Sequence, residues 1–147
     1  TWEAAADVRF IHSSREDRRC VASNPSVVFD VRPSTARRYL ARAFFPKSAR
    51  KYRTVMLTRQ ALAQSGALTL AGIVRHELGH VLGLRHEHTR PDAGACYEDA
   101  SWRPVTPYDR ASVMHYPQCN GTGNWNRTLT VFDAAGIATL YGPPRRY

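Results

Sequence analysis

The segment His76-Glu77-Leu78-Gly79-His80-Val81-Leu82-Gly83-Leu84-Arg85-His86 contains the residues of this chain best suited to chemistry. Positions i and i+4 share a face of a helix, so His76 and His80 can present two imidazoles to one metal ion, with Glu77 beside them. A continuous helix would rotate position 86 off that face. Gly83 can adopt the left-handed conformation that ends a helix, and the reversal it permits brings His86 back toward the ion. Three neutral imidazoles with a fourth position open to water form the ligand set of a catalytic zinc rather than of a closed structural one. Glu77 is not needed to hold the ion. A carboxylate beside that water is a general acid/base, taking a proton during attack and passing it to the leaving nitrogen. The spacing therefore predicts one catalytic Zn2+ on His76, His80 and His86, with Glu77 catalytic. Any one of these histidines alone would read as a core or surface residue of an amphipathic helix; their joint spacing argues against that.

The elements that position them can be read from local pattern. From Thr69 to Leu82 the apolar residues Leu70, Ile73, Val74, Leu78, Val81 and Leu82 follow the helical period, with Thr69 as N-cap. Upstream, Val8 to Ile11, Val27 to Val31 closed by Pro33, and Tyr52 to Leu57 alternate as strands do. Thr35 to Arg42 is helix-permissive, Trp2 to Ala6 suits the end of a helix, and Ala43-Phe44-Phe45-Pro46 reads as an extended piece suited to a sheet edge and bordering a cleft. Beyond Gly83, prolines and glycines punctuate residues 87–126, and only Phe132 to Tyr141 offers another helix. Strands first and helices last predict an α+β fold, with a small twisted sheet, an active-site helix and a loop-rich C-terminal half ending in a helix.

A chain of 147 residues fits one domain. Its halves meet near residues 83 and 84. No apolar run approaches the length of a spanning helix, so no membrane span is expected. The chain opens at Thr1 without a leader pattern, and any secretory leader is expected to have been removed. Cys96 and Cys119 both lie in Gly- and Asn-containing loops after the histidine segment and are the favoured disulfide pair, leaving Cys20 free or paired elsewhere; three reduced thiols of a cytosolic protein are the alternative.

The net charge of +9 is uneven: residues 1–75 carry 14 Lys and Arg against 5 Asp and Glu, and residues 76–147 carry 7 against 7. Arg37, Arg38, Arg42, Arg50, Lys51, Arg53 and Arg59 are scattered rather than interleaved with aromatics, so they read as a solvated basic surface and no nucleic-acid partner is expected.

The motif HExxHxxGxxH, followed by Ser112-Val113-Met114-His115-Tyr116, resembles the metzincins, and among them the astacin family. Further similarity lies in His86-Glu87-His88-Thr89-Arg90-Pro91 and in Asp133-Ala134-Ala135-Gly136-Ile137 with Leu140-Tyr141. The stretches Trp102 to Tyr108 and Tyr116 to Gly121 are similar to a group of secreted myxobacterial metallopeptidases. The resemblance implies that Met114 shapes the floor beneath the metal. It also implies that Tyr116 can act as an additional zinc ligand and swing away to stabilise the oxyanion. His88 is a rival to His86 as third ligand, but the family spacing from Gly83 favours His86. Glu87 would meet a mature N-terminus in astacins; an ion pair with an arginine is the other reading.

Ala43, Phe44 and Phe45 look like the edge strand of matrixins, which would pair with an extended substrate. A strand and a long helix ahead of Val8 are expected from the resemblance; Trp2 to Ala6 would be what remains of them, with the natural N-terminal part expected to be missing. The implied protein is a secreted, monomeric zinc metalloendopeptidase acting on proteins or peptides. A catalytically silent zinc-containing binding or inhibitory module is the alternative, and a basic polyanion-binding protein ranks third.

Overall fold

The computed structural model describes residues 1–64 and 66–145. The chain divides into two compact units, one formed by residues 11–84 and the other by residues 1–10 together with 85–147. The division falls inside the histidine segment.

The 11–84 unit is built on a three-stranded mixed sheet in the order β1-β3-β2, comprising β1 (Asp30–Ser34), β2 (Ala41–Arg42) and β3 (Thr54–Thr58). β1 runs parallel to β3 from Asp30 opposite Thr54 to Ser34 opposite Thr58, and β2 runs antiparallel, with Ala41 opposite Leu57. Pro33 sits inside β1, tolerated because that strand is an edge and proline has no N–H to give a second neighbour. Val55, Ala61, Ile73 and Phe44 are buried, and the Phe29 and Phe44 rings pack 5.6 Å apart.

Thr58 closes β3 and caps the short helix α1 (Arg59–Leu62) by accepting from the Ala61 N–H. Thr69 caps α2 (Leu70–Val81) in the same way, its side chain accepting from the Gly72 N–H at 3.0 Å. These bonds satisfy backbone donors that the first turn of a helix leaves over. The end of α2 is equally determined: Gly83 adopts φ +98°, its N–H donates to His80 O, and the Leu84 N–H donates to Gly79 O. That pair of bonds is the Schellman closure, whose turning residue has to enter the left-handed region and is therefore best a glycine.

The second unit is mostly loop. Its one long element is α3 (Val131–Tyr141), started by a reciprocal capping box between Thr130 and Asp133. Trp2 is buried in a short 3-10 turn over Trp2–Ala4, and the Asp7 N–H donates to Gly142 O beyond the end of α3. A disulfide joins Cys96 and Cys119, whereas Cys20 is a half-buried thiol in the other unit.

The small mixed sheet with few helices is α+β, as the residue pattern predicts, but several boundaries differ. Val8 to Ile11 forms no strand, and Thr35 to Arg42 is bends followed by β2 rather than helix. The strand expected at Val27 to Val31 is displaced to Asp30–Ser34 and runs through Pro33 instead of ending there. Tyr52 belongs to a 3-10 turn ahead of β3. Ala43, Phe44 and Phe45 lie just beyond the edge strand and pair with no neighbour in the sheet, and Phe44 packs against Phe29. Arg50 and Arg53 are not idle charges: Arg50 donates to the carbonyls of Asn24 and Val27, and Arg53 to those of Ser48 and Pro46. Among the described residues no helix is long and apolar enough to cross a membrane.

Candidate metal centre

The buried stripe of α2 contains Gly72, Ile73, His76, Glu77, Gly79 and His80, so this helix turns its imidazoles and its carboxylate inward. His76 and His80 offer ring nitrogens within 4.8 Å of each other, their rings set edge to face. His80 Nδ1 lies 2.8 Å from Leu84 O. A carbonyl only accepts, so Nδ1 carries the proton and the ring's acceptor lone pair is on Nε2. The closure at Gly83 thus both ends the helix and orients a histidine on it. The Phe45 ring sits edge-on to His80 at 5.5 Å and buttresses it from β2's side.

His86 belongs to the other unit, where a dense array surrounds it. Its Nδ1 donates to Glu98 Oε1 at 2.6 Å, which again puts the lone pair on Nε2. His88, only 2% exposed, stacks on His86 at 4.7 Å and donates from Nε2 to the same Glu98 oxygen at 3.1 Å. Burial lowers the pKa of His88 despite the pull of Glu98. For Glu98 burial acts to raise the pKa, but its bonds and attraction to His86 and His88 outweigh it and hold the carboxyl low. Tyr116 faces both rings, 4.5 Å from His86 and 4.6 Å from His88, with the Arg127 guanidinium 5.1 Å from its centroid.

The turn carrying Met114 is held from three directions. Asp133 accepts from the Ser112 hydroxyl, the Val113 N–H and the Thr130 N–H, tying the turn to the start of α3. Burial raises the Asp133 pKa in spite of these bonds. Met114, fully enclosed, accepts at its carbonyl from the Glu87 N–H at 3.1 Å, next to His86. His115 donates from Nδ1 to Tyr116 O and accepts at Nε2 from the Tyr108 hydroxyl, and burial lowers its pKa.

Glu87 pairs with Arg90 at 3.0 Å and also accepts from the Asp109 N–H. Burial is the largest influence on it and lifts its pKa to about 7, with Arg90 and the Asp109 bond opposing.

The structure brings His76 and His80 together on α2, with Glu77 buried beside them, and brings His86, His88, Met114 and Tyr116 together in the loop-rich unit. Sequence reasoning missed Glu98 and Arg127, and gave no role to Asp133, Tyr108 and His115 beyond their place in the resemblance. Asp133 had a local signal in the capping-box spacing from Thr130; the others lie in loops without period.

A helix with two histidines one turn apart, a glutamate between them and a methionine turn downstream is the arrangement expected of a zinc-dependent metzincin. Comparison with known proteins narrows it. The model of the Astacin peptidase family matches residues 55–98. The zinc metalloproteinase nas-30 of Caenorhabditis elegans is 36% identical over 89 residues, covering 47% of this chain and 12% of that protein. The high choriolytic enzyme 2 of Oryzias latipes is 35% identical over 68 residues, 35% of this chain and 24% of that one. An astacin-like metalloendopeptidase of Gallus gallus is 36% identical over 58 residues, 40% of this chain and 14% of that one. The chain thus spans a quarter or less of the length of these relatives. In the segment that carries its histidines, the chain is similar to the astacin peptidases.

Proposed function

We propose that this chain is the zinc-binding catalytic part of a metalloendopeptidase acting on protein or peptide substrates. The observation that carries the reading is the buried face of α2, on which His76 and His80 lie one turn apart with Glu77 between them. His86 completes the ligand set, its Nε2 given the lone pair by the bond from Nδ1 to Glu98. The donor set fits one zinc ion: imidazoles whose second nitrogen is hydrogen-bonded to an acceptor are the usual protein ligands for it.

When bound, zinc supplies a Lewis acid that polarises the scissile carbonyl and acidifies water. Glu77 takes the proton of the attacking water and delivers it to the departing amine nitrogen. Tyr116 donates its phenolic hydrogen to the developing oxyanion, with the nearby Arg127 guanidinium adding positive potential. Met114 supports the floor, and Ala43 to Phe45 remain candidates for substrate contact through the exposed margin of β2 rather than as a strand themselves. A disulfide-bonded chain is suited to an oxidising compartment, which together with a choriolytic-enzyme relative supports export.

The presence of Glu77, which is dispensable for holding an ion, favours an enzyme over a silent zinc-binding module. Casein digestion is expected to be abolished by a chelator and restored by zinc. Glu77→Gln is expected to keep one zinc per chain and lose turnover by on the order of 10²-fold or more. A Glu77→Gln protein with full activity sinks the mechanism, and digestion indifferent to the chelator sinks the zinc reading.

A further inference from the structure

Glu98 sits at the convergence of three donors in the loop-rich unit. Its Oε1 accepts from His86 Nδ1 at 2.6 Å and from His88 Nε2 at 3.1 Å, and its Oε2 accepts from the Thr89 hydroxyl at 3.2 Å. No local pattern hints at this, since Glu98 lies just after Cys96 in an irregular loop, ten and twelve residues from the two histidines.

The partners of Glu98 are themselves fixed. His88 and Thr89 are almost wholly buried, and His88 Nδ1 accepts from the Tyr116 backbone N–H at 3.3 Å. That bond forces the proton of His88 onto Nε2, where it faces Glu98. Glu98 is the more exposed group and takes its place from them. A carboxylate so held dictates the His86 ring: Nδ1–H points at Oε1 and the lone pair is on Nε2.

We propose that Glu98 is the positioning residue for the metal ligand His86, anchored through the buried His88 to the backbone of Tyr116. One carboxylate then couples the third ligand to the turn that carries the tyrosine. This inference rests on the reading of His86 as a zinc ligand.

The same three residues, His86, His88 and Glu98, present ligand atoms within 4.8 Å of one another, and a second metal site is the competing interpretation. Geometry disfavours it. Two ligand atoms on a tetrahedral zinc with bonds of about 2.0 Å stand roughly 3.3 Å apart, whereas His86 Nδ1 and Glu98 Oε1 are separated by 2.6 Å, a charge-assisted hydrogen-bond distance.

The test uses the whole chain, with zinc titrated against a competing chelator, release rates followed by a chromogenic chelator, and thermal melts of the metal-free proteins. Wild type is expected to bind one zinc, and His86→Ala to lose most of that affinity. Glu98→Ala is expected to bind zinc about 10- to 100-fold more weakly, the range for removal of a carboxylate behind a ligating histidine. Glu98→Gln, whose amide oxygen can still accept from both rings, is expected to show a smaller loss, with a metal-free melt like wild type. Cobalt substituted for zinc should show altered visible bands in Glu98→Ala.

If His86→Ala binds zinc as wild type does, both the ligand reading and this inference fall. If His86→Ala loses zinc but both Glu98 variants hold and release it as wild type does, only the role of Glu98 is overturned. Two zinc ions in wild type, one of them lost in His88→Ala, would overturn it in favour of a second site. Should Glu98→Ala fail to fold, the release rate of Glu98→Gln decides, and a rate equal to wild type counts against the proposal.

Discussion

Gly121 lies against the tightest part of the turn around Tyr116, and its replacement by alanine is a stringent test of that packing. A Cβ there would stand 2.7 Å from His115 Nδ1, 2.9 Å from Tyr116 O and 3.0 Å from Pro117 Cα, all inside ordinary van der Waals contact. Two of the three obstacles are backbone. The third cannot swing aside cheaply, because the His115 ring is held by the Tyr108 hydroxyl at 2.8 Å and by Tyr116 O at 2.9 Å. Tyr116 O is also the acceptor for the Cys119 N–H. Overpacking of a fixed site costs about 1–3 kcal/mol, or a fall in Tm of roughly 3–10 °C for a chain of this size. Gly136→Ala is the control. Its Cβ would meet Thr106 Cγ2 at 3.4 Å, an ordinary contact, within helix α3. Alanine is favoured over glycine there by up to about 1 kcal/mol, so stability should hold or rise. Urea unfolding and thermal melts of both variants decide the matter. A Gly121→Ala protein that melts with wild type, or a Gly136→Ala protein that falls as far, refutes the reasoning.

Other perturbations separate the remaining roles. Tyr116→Phe is expected to lower turnover by on the order of 10²-fold with zinc content and melt unchanged, if the phenol donates to the oxyanion; near-normal turnover on a peptide substrate would assign the phenol to packing alone. Glu87, with its pKa raised from 4.5 to about 7 by burial, contributes stability that is full below pH 4.5 and lost as pH rises through 7. The protonated folded state should make wild-type stability fall by about 1.4 kcal/mol per pH unit across that window relative to Glu87→Gln, roughly 3 kcal/mol in all. Unfolding curves at pH 5, 6, 7 and 8 in the presence of a chelator measure the difference, and a flat one contradicts the assignment. Replacing Cys96 and Cys119 by serine opens a link between residues 23 apart. That should cost about 3 kcal/mol of stability, read by urea titration against the oxidised wild type.

How far the sequence reaches depends on whether a feature is local. The helix bearing His76 and His80 is encoded within a single short stretch by a cap, an apolar period and a terminating glycine, and it forms where the pattern places it. The second helix near the C-terminus is encoded in the same way, by the Thr130 and Asp133 capping box. The strands are less legible. β1 and β2 gain their hydrogen bonds only from β3, so alternation alone does not locate them, and Val8 to Ile11, which alternates equally well, has no strand to join. Phe44 shows the same limit: it is buried against Phe29 just beyond β2, in a segment that pairs with no strand.

Residue types and spacing alone predict a metal, its histidines, an acid/base glutamate and the α+β class, because an i, i+4 pair and a glycine stop are determined by backbone geometry within a single element. Tertiary structure alone decided what stands behind those residues. Leu84 O fixes the tautomer of His80, Glu98 that of His86, and Asp133 the turn of Met114. The last two bonds join residues twelve and twenty positions apart across irregular loops, where no local period records a partner and only the folded chain brings donor and acceptor within reach.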